Sequence, residues 1–153
     1  MPSIEERLQA IEDTEAIRRL KITYAQRCDD DYDPDGLAAL FTEDGVWDGG
    51  PHGIARGRDE IRALWEATGQ SASFAVHYIT NHVVDLDASG NSATGSCSLW
   101  EPITLGGQAM WASVIYQERY EKVDGTWLFA EMKLDNVFCT PYDKGWEAQR
   151  FAS

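Results

Sequence analysis

Residues 92–138 read SATGSCSLWEPITLGGQAMWASVIYQERYEKVDGTWLFAEMKLDNVF. Gly106-Gly107 and Asp124-Gly125 divide this run into three extended stretches, 92–104, 108–122 and 126–138. Both dipeptides supply the positive φ that a two-residue hairpin demands. Working backward, Ala88-Ser89-Gly90-Asn91 sets off a fourth stretch, residues 74–86. Four successive strands with short turns predict an antiparallel meander. A stretch such as 92–104 would extend about 43 Å if straight. Strands of that length in a small domain must bend, through bulges and strong twist.

Outward from the meander, the first third of the chain reads as helical. Ser3-x-x-Glu6 forms a capping-box pattern, followed by Ile4, Leu8 and Ile11 at helical spacing. Asp13-Thr14 suggests a second helix start leading into the stripe Ile17, Leu20, Tyr24 and Cys28. Asp33-Pro34 opens a short helix through Phe41, and Val46-Trp47-Asp48 reads as a short strand. Gly49, Gly50, Pro51 and Gly53 mark a loop, and residues 58–68 form a helix burying Ile61, Leu64 and Trp65. Helices followed by a meander predict one α+β domain over residues 1–153. Its N-terminal helices pack inside a strongly curved antiparallel sheet, a cone-shaped barrel with an internal pocket.

Composition narrows the function. Thirteen basic against 26 acidic residues give a net charge of −13, which repels phosphate backbones and acidic lipid. Nucleic-acid and membrane partners are therefore not expected. Cys28, Cys97 and Cys139 are odd in number and far apart, so neither a disulfide framework nor a zinc ribbon is implied. The acidic start MPSIEERLQAIED lacks a signal pattern, and a cytoplasmic protein with reduced thiols is expected. P-loop, Rossmann and nucleophile-elbow patterns do not occur.

A few residues stand out chemically. Asp29 begins the run Asp29-Asp30-Asp31 at a helix end, where the helix dipole disfavours negative charge. A general base and a solvated acidic turn both fit. His77 lies in Phe74-Ala75-Val76-His77-Tyr78-Ile79-Thr80-Asn81-His82. Strict alternation puts it with Ile79, Asn81 and Val83, and His82 with Tyr78, Val84 and Leu86. The two histidines then cannot share a metal, and no metal site is expected; a core hydrogen bond and catalysis both remain open for His77. Glu101 is the one carboxylate on a face of Ala93, Gly95, Cys97, Leu99 and Ile103, either a pocket acid or a strand end reaching water. The last strand alternates Phe129, Glu131, Lys133 and Asp135 against Ala130, Met132, Leu134, Asn136 and Phe138.

The chain resembles the SnoaL-like branch of the nuclear-transport-factor-2-like, or cystatin-like, superfamily. The matching segments are Glu15–Leu20 with Tyr24 and Asp29, Leu40–Trp47, Gly57–Ile61, His77–Val84 and Tyr120–Trp127. Within that superfamily it is most similar to the cofactor-independent lyases: scytalone dehydratase, bile-acid 7α-dehydratase and hexachlorocyclohexane dehydrochlorinase. The resemblance implies a His77–Asp29 pair working inside the cone, with Tyr24 hydrogen-bonding the substrate. It implies substrate binding by Glu101, Trp100, Trp47 and, where relatives carry an arginine on the final strand, Lys133 or Asn136. The expected reaction is elimination of water or halide from a small hydrophobic cyclic or aromatic molecule, without a cofactor. An isomerase or cyclase of polyketide or steroid-like rings, a ligand-binding module and a ring-dioxygenase small subunit use the same fold. A homotrimer or homodimer is also expected.

Overall fold

The computed structural model describes residues 1–152. Its first helix, α1 (Ile4–Asp29), opens on the capping box: the Glu6 N–H donates to the Ser3 hydroxyl and the Ser3 N–H to the Glu6 carboxylate. Asp13 does not start a second helix. It lies buried in mid-helix, where its carboxylate accepts from Lys122 Nζ at 2.9 Å and Trp127 Nε1 at 2.8 Å. A residue with cap chemistry is thus a tertiary anchor. Ile17, Leu20, Tyr24 and Cys28 are buried as expected, whereas Ile4, Leu8 and Ile11 are exposed, because the first turns have no sheet beneath them.

The short helix α2 (Pro34–Ala38) starts with the Asp33 side chain accepting from the Gly36 N–H. It ends before Phe41, which instead opens β1 (Phe41–Asp48), a strand longer than expected. β2 (Ile54–Arg56) follows a single 3-10 turn and pairs with β1, and α3 (Gly57–Ser71) buries Ile61 and Trp65.

The stretch 74–86 is two strands, β3 (Ala72–Ala75) and β4 (Tyr78–Leu86), both paired with β5 (Ser92–Leu105). The cause is Pro102. The Val76 N–H donates to the Pro102 carbonyl at 3.2 Å, but proline has no N–H to return, so the ladder is interrupted at Val76-His77 while the register on β5 is kept. β6 (Gln108–Val123) and β7 (Thr126–Pro141) complete the meander, and α4 (Gly145–Ala148) closes the chain. The hairpin turns are as expected: Gly106, Gly107, Asp124 and Gly125 all have positive φ.

The strand order is β2-β1-β7-β6-β5-β3, with β4 beside the other half of β5. Every pairing is antiparallel except β1 with β7. The sheet curls strongly as a half-barrel, and bulges produce the bend. Each bulge also exchanges inside for outside. Asn81, at φ 54°, sits in the β4 bulge, so Ile79 and His82 face inward while Tyr78 faces out. On β7 the register skips Ala130 and Val137. Phe129 consequently joins the core, while Phe138 leaves the face of Leu134 and Asn136 for the outer surface. No helix among the described residues is long and apolar enough to cross a membrane.

The core lies between α1, α3 and the concave face, around Tyr24, Phe41, Tyr116, Tyr120, Phe129 and Met132. At its centre Lys21, fully buried, pairs with Glu118 at 2.5 Å and lies 3.2 Å from the centre of the Tyr116 ring. Tyr120 donates to the same carboxylate, and His82 Nε2 lies 3.1 Å from the Tyr120 hydroxyl.

Candidate active site

The end of α1 meets the break between β3 and β4 at Val76-His77. There Asp29 Oδ1 accepts twice from one residue, from the His77 backbone N–H at 2.9 Å and from Nδ1 at 2.7 Å. His77 stands opposite Glu101, between the hydrogen-bonded positions of Val76 with Pro102 and Tyr78 with Trp100, so its N–H points off the sheet edge, and the helix-end carboxylate takes it up. A carboxylate oxygen accepts, which suits a proton on Nδ1 and turns Nε2 toward the cavity side. Nε2 lies 3.3 Å from Glu101 Oε1. The His77 side chain is 5% exposed and that of Asp29 30%, so the pair runs from the interior toward solvent.

A cavity of about 270 Å³ opens at this pair. Tyr24, Tyr32, Trp47, Trp65 and Tyr116 form its aromatic walls, and Leu99, Val114 and Leu134 add aliphatic surface. Tyr24 stands edge-on to Trp65 at 5.9 Å and to Tyr116 at 6.3 Å. Tyr32 stacks on Trp65 at 5.6 Å and meets His77 edge-on at 6.2 Å. Burial pushes the phenols of Tyr24 and Tyr116 well above their ordinary range, so they are neutral donors at any working pH. Burial likewise raises Glu101, with His77 pulling it down, Asp29 pushing it up and the Tyr32 hydroxyl beside it lowering it; the outcome is a carboxyl raised above 4.5.

Three N–H donors of the cavity-lining residues are buried without a partner among the described residues: Trp47 Nε1, Trp65 Nε1 and Asn136 Nδ2. The Tyr24 hydroxyl stands near Trp47 without closing a hydrogen bond to it.

The cavity therefore brings together Tyr24, Trp47, His77, Glu101 and Asn136, with Asp29 behind the histidine. Two candidate substrate contacts are not brought there. Trp100 alternates with the inward Leu99 and Glu101, so it lies on the outer face against Trp111 and Phe138. Lys133 lies between the inward Met132 and Leu134, is exposed and faces Asp135. Tyr32, Trp65 and Tyr116 were absent from the sequence-based site. Their aromatic character and the buried face of α3 were visible, but Tyr32 reaches the cavity only through a left-handed turn that no periodicity encodes. No cluster of three His, Cys, Asp or Glu side chains suited to a metal occurs among the described residues.

The family model of the SnoaL-like domain matches residues 9–133. Among solved structures, the chain is similar to a candidate scytalone dehydratase from Novosphingobium aromaticivorans, at 26% identity and TM-score 0.80, over 88% of this chain and 90% of that one. It is similar to a protein of unknown function from Mycobacterium tuberculosis, at 27% identity and TM-score 0.74, over 89% of this chain and 76% of that one. A hexachlorocyclohexane dehydrochlorinase, LinA type 3 from Novosphingobium barchaimii, shares the fold at 22% identity and TM-score 0.79, over 88% of this chain and 93% of that one. No curated protein sequence matches significantly. The chain belongs to the family of proteins built on the SnoaL-like domain.

Proposed function

We propose that this protein is a cofactor-independent lyase that eliminates water or halide from a small hydrophobic cyclic or aromatic substrate. One observation carries the reading: the 2.7 Å contact of Asp29 with His77 Nδ1 at the mouth of an aromatic-walled cavity. Asp29 fixes the tautomer and stabilises the imidazolium that forms when Nε2 accepts a proton. His77 takes the proton from the carbon adjacent to the one that bears the leaving group, the C–H pair becomes the new double bond, and the C–O or C–halide bond breaks. A halide leaves as the anion. A leaving hydroxyl takes the proton of Glu101, which burial holds toward its neutral form. Tyr24 donates to the substrate oxygen, a role its neutral phenol allows. The unpartnered donors of Trp47, Trp65 and Asn136 cost about 1–3 kcal/mol each, and a ligand bearing oxygen acceptors is the kind that would relieve them. The similarity to a candidate scytalone dehydratase supports the same class of reaction.

The test is incubation with neutral cyclic β-hydroxyketones and chlorinated cyclohexanes. Mass spectrometry would follow loss of water, and ion chromatography the release of chloride. Turnover is expected in the wild type, with His77→Gln down by about 10²–10⁴-fold at an unchanged fold. Asp29→Asn is expected to be severely impaired and Tyr24→Phe milder. A well-folded His77→Ala protein with wild-type rate would overturn the mechanism. Ligand retention without conversion would favour the binding-module reading.

A further inference from the structure

Two apolar side chains beside the cavity lie outside the core. Ile54 on β2 is 51% exposed, and Ala63 on α3 is exposed as well. Both line a surface groove of about 390 Å³, together with His52, Ala55, Glu60 and Leu64. The groove begins where the cavity ends, because His52 and Leu64 belong to the linings of both. Leu64 packs on the core from α3, and His52 stands exposed on the turn after β1. That turn is built against the cavity wall. An added Cβ at Gly49 would fall inside the Trp47 ring, so glycine is what lets the indole come this close to the backbone. Gly50 and Gly53, at φ of 59° and 100°, then reverse the chain. The His52 N–H donates to the Gly49 carbonyl at 3.2 Å and the Gly49 N–H to the Gly53 carbonyl at 2.9 Å, which holds His52 at the border.

We propose that the groove is a second subsite, which takes an uncharged alkyl chain carried by the ring that occupies the cavity. The proposal rests on the lyase reading in naming the ring as the reacting part. At about 270 Å³ the cavity falls below the roughly 300–1,000 Å³ of ordinary small-molecule sites, so it suits a ring and little more. A substituent leaving it past His52 and Leu64 meets the apolar surface of Ile54, Ala55 and Ala63 instead of water. No lysine or arginine among the described residues lines the groove, and its one carboxylate, Glu60, accepts from the Arg56 N–H at 2.8 Å. That carboxylate and a net charge of −13 disfavour an acidic end on the chain. Binding here is remote from the bond that breaks, so it can hold the ring in place against His77.

The test is titration calorimetry with cyclohexanone, 2-hexylcyclohexanone and the same hexyl chain ending in a carboxylate. The proteins are wild type, Ala63→Glu and Ile54→Asn; both positions are exposed and neither belongs to the groups assigned to the chemistry. Complete burial is worth about fourfold in affinity per CH₂, and the groove is open on one side, so the hexyl chain is expected to tighten wild-type binding by about 10-fold or more. The carboxylate-ended chain is expected to gain less. Both variants are expected to lose the hexyl gain and to bind cyclohexanone as wild type does. Equal binding of the plain and hexyl ketones by wild type, or binding of neither, would overturn the proposal. So would a hexyl gain that survives in either variant, a matching loss of cyclohexanone, or a carboxylate-ended chain that binds as tightly as the hexyl one. Calorimetry needs no turnover. A hexyl gain in a protein that converts no substrate would sink the lyase reading and leave the subsite, whereas turnover without a hexyl gain would do the reverse.

Discussion

Glu101 shows what a single residue gives up in stability to serve a cavity. It holds its proton more tightly in the folded protein than in the unfolded chain, because burial penalises the carboxylate more than His77 relieves it. A raised folded-state pKa means that above pH 4.5 the folded form holds more protons than the unfolded chain, so stability is full below that value and falls as pH rises through the folded pKa. Glu101→Gln is therefore expected to melt higher than wild type at pH 7.5, with the gap closing near pH 4. Calorimetry at the two pH values checks this, and a wild type that melts higher than the variant at pH 7.5 would contradict it. The sequence marked Glu101 as the one carboxylate on an apolar face, which is why it was legible. It left open whether the residue reached water, since depth is a property of the neighbours. Asp29 and His77 were legible as chemical types, yet their contact depends on the end of α1 reaching the open edge of β3 and β4, 48 residues along the chain.

At the scale of elements, the helix α1 is tied to the sheet by charge as well as by packing. Lys21 and Glu118 are both fully buried in their side chains and meet at 2.5 Å. Lys21→Met leaves the carboxylate buried and without its cation, a loss of about 3–5 kcal/mol for broken buried pairs. Urea unfolding is the measurement, and Lys21→Met with Glu118→Gln is expected to lose less than the single change. A loss under about 1 kcal/mol for Lys21→Met would mean that water reaches the pair. Nothing in the local sequence announced this lysine. On helical spacing it follows Leu20 directly, and only the closing of β6 over α1 seals it from water.

The molecule as a whole carries a cluster of exposed aromatic side chains on its outer face. Trp100 packs on Trp111 at 5.4 Å and Phe138 on Trp146 at 5.2 Å, while Trp100, Tyr142 and Trp146 remain 38%, 67% and 50% exposed. Exposed aromatic clusters of this kind mark association surfaces. With a chain mass of 17.1 kDa, multi-angle light scattering is expected to give two or three times that value. Trp100→Glu and Trp146→Glu are expected to reduce it to one chain. A wild-type mass of one chain at micromolar concentration would refute the oligomer.

What the sequence determined by itself is local. The capping box at Ser3, the Pro34 helix start and the hairpins at Gly106-Gly107 and Asp124-Gly125 each depend on a few adjacent residues. Together with the order of helices and strands they gave the α+β class and a curved sheet. Tertiary structure decided the faces. The bulges at Asn81, Ala130 and Val137 each add one residue to one strand of a pair, and one residue reverses every side chain beyond it. They sent His82 and Phe129 inward and Phe138 outward, against strict alternation. A bulge belongs to two strands at once, and a left-handed turn such as that at Tyr32 persists only because Trp65 and Gly69 lie against it. Such features exist only when distant segments meet.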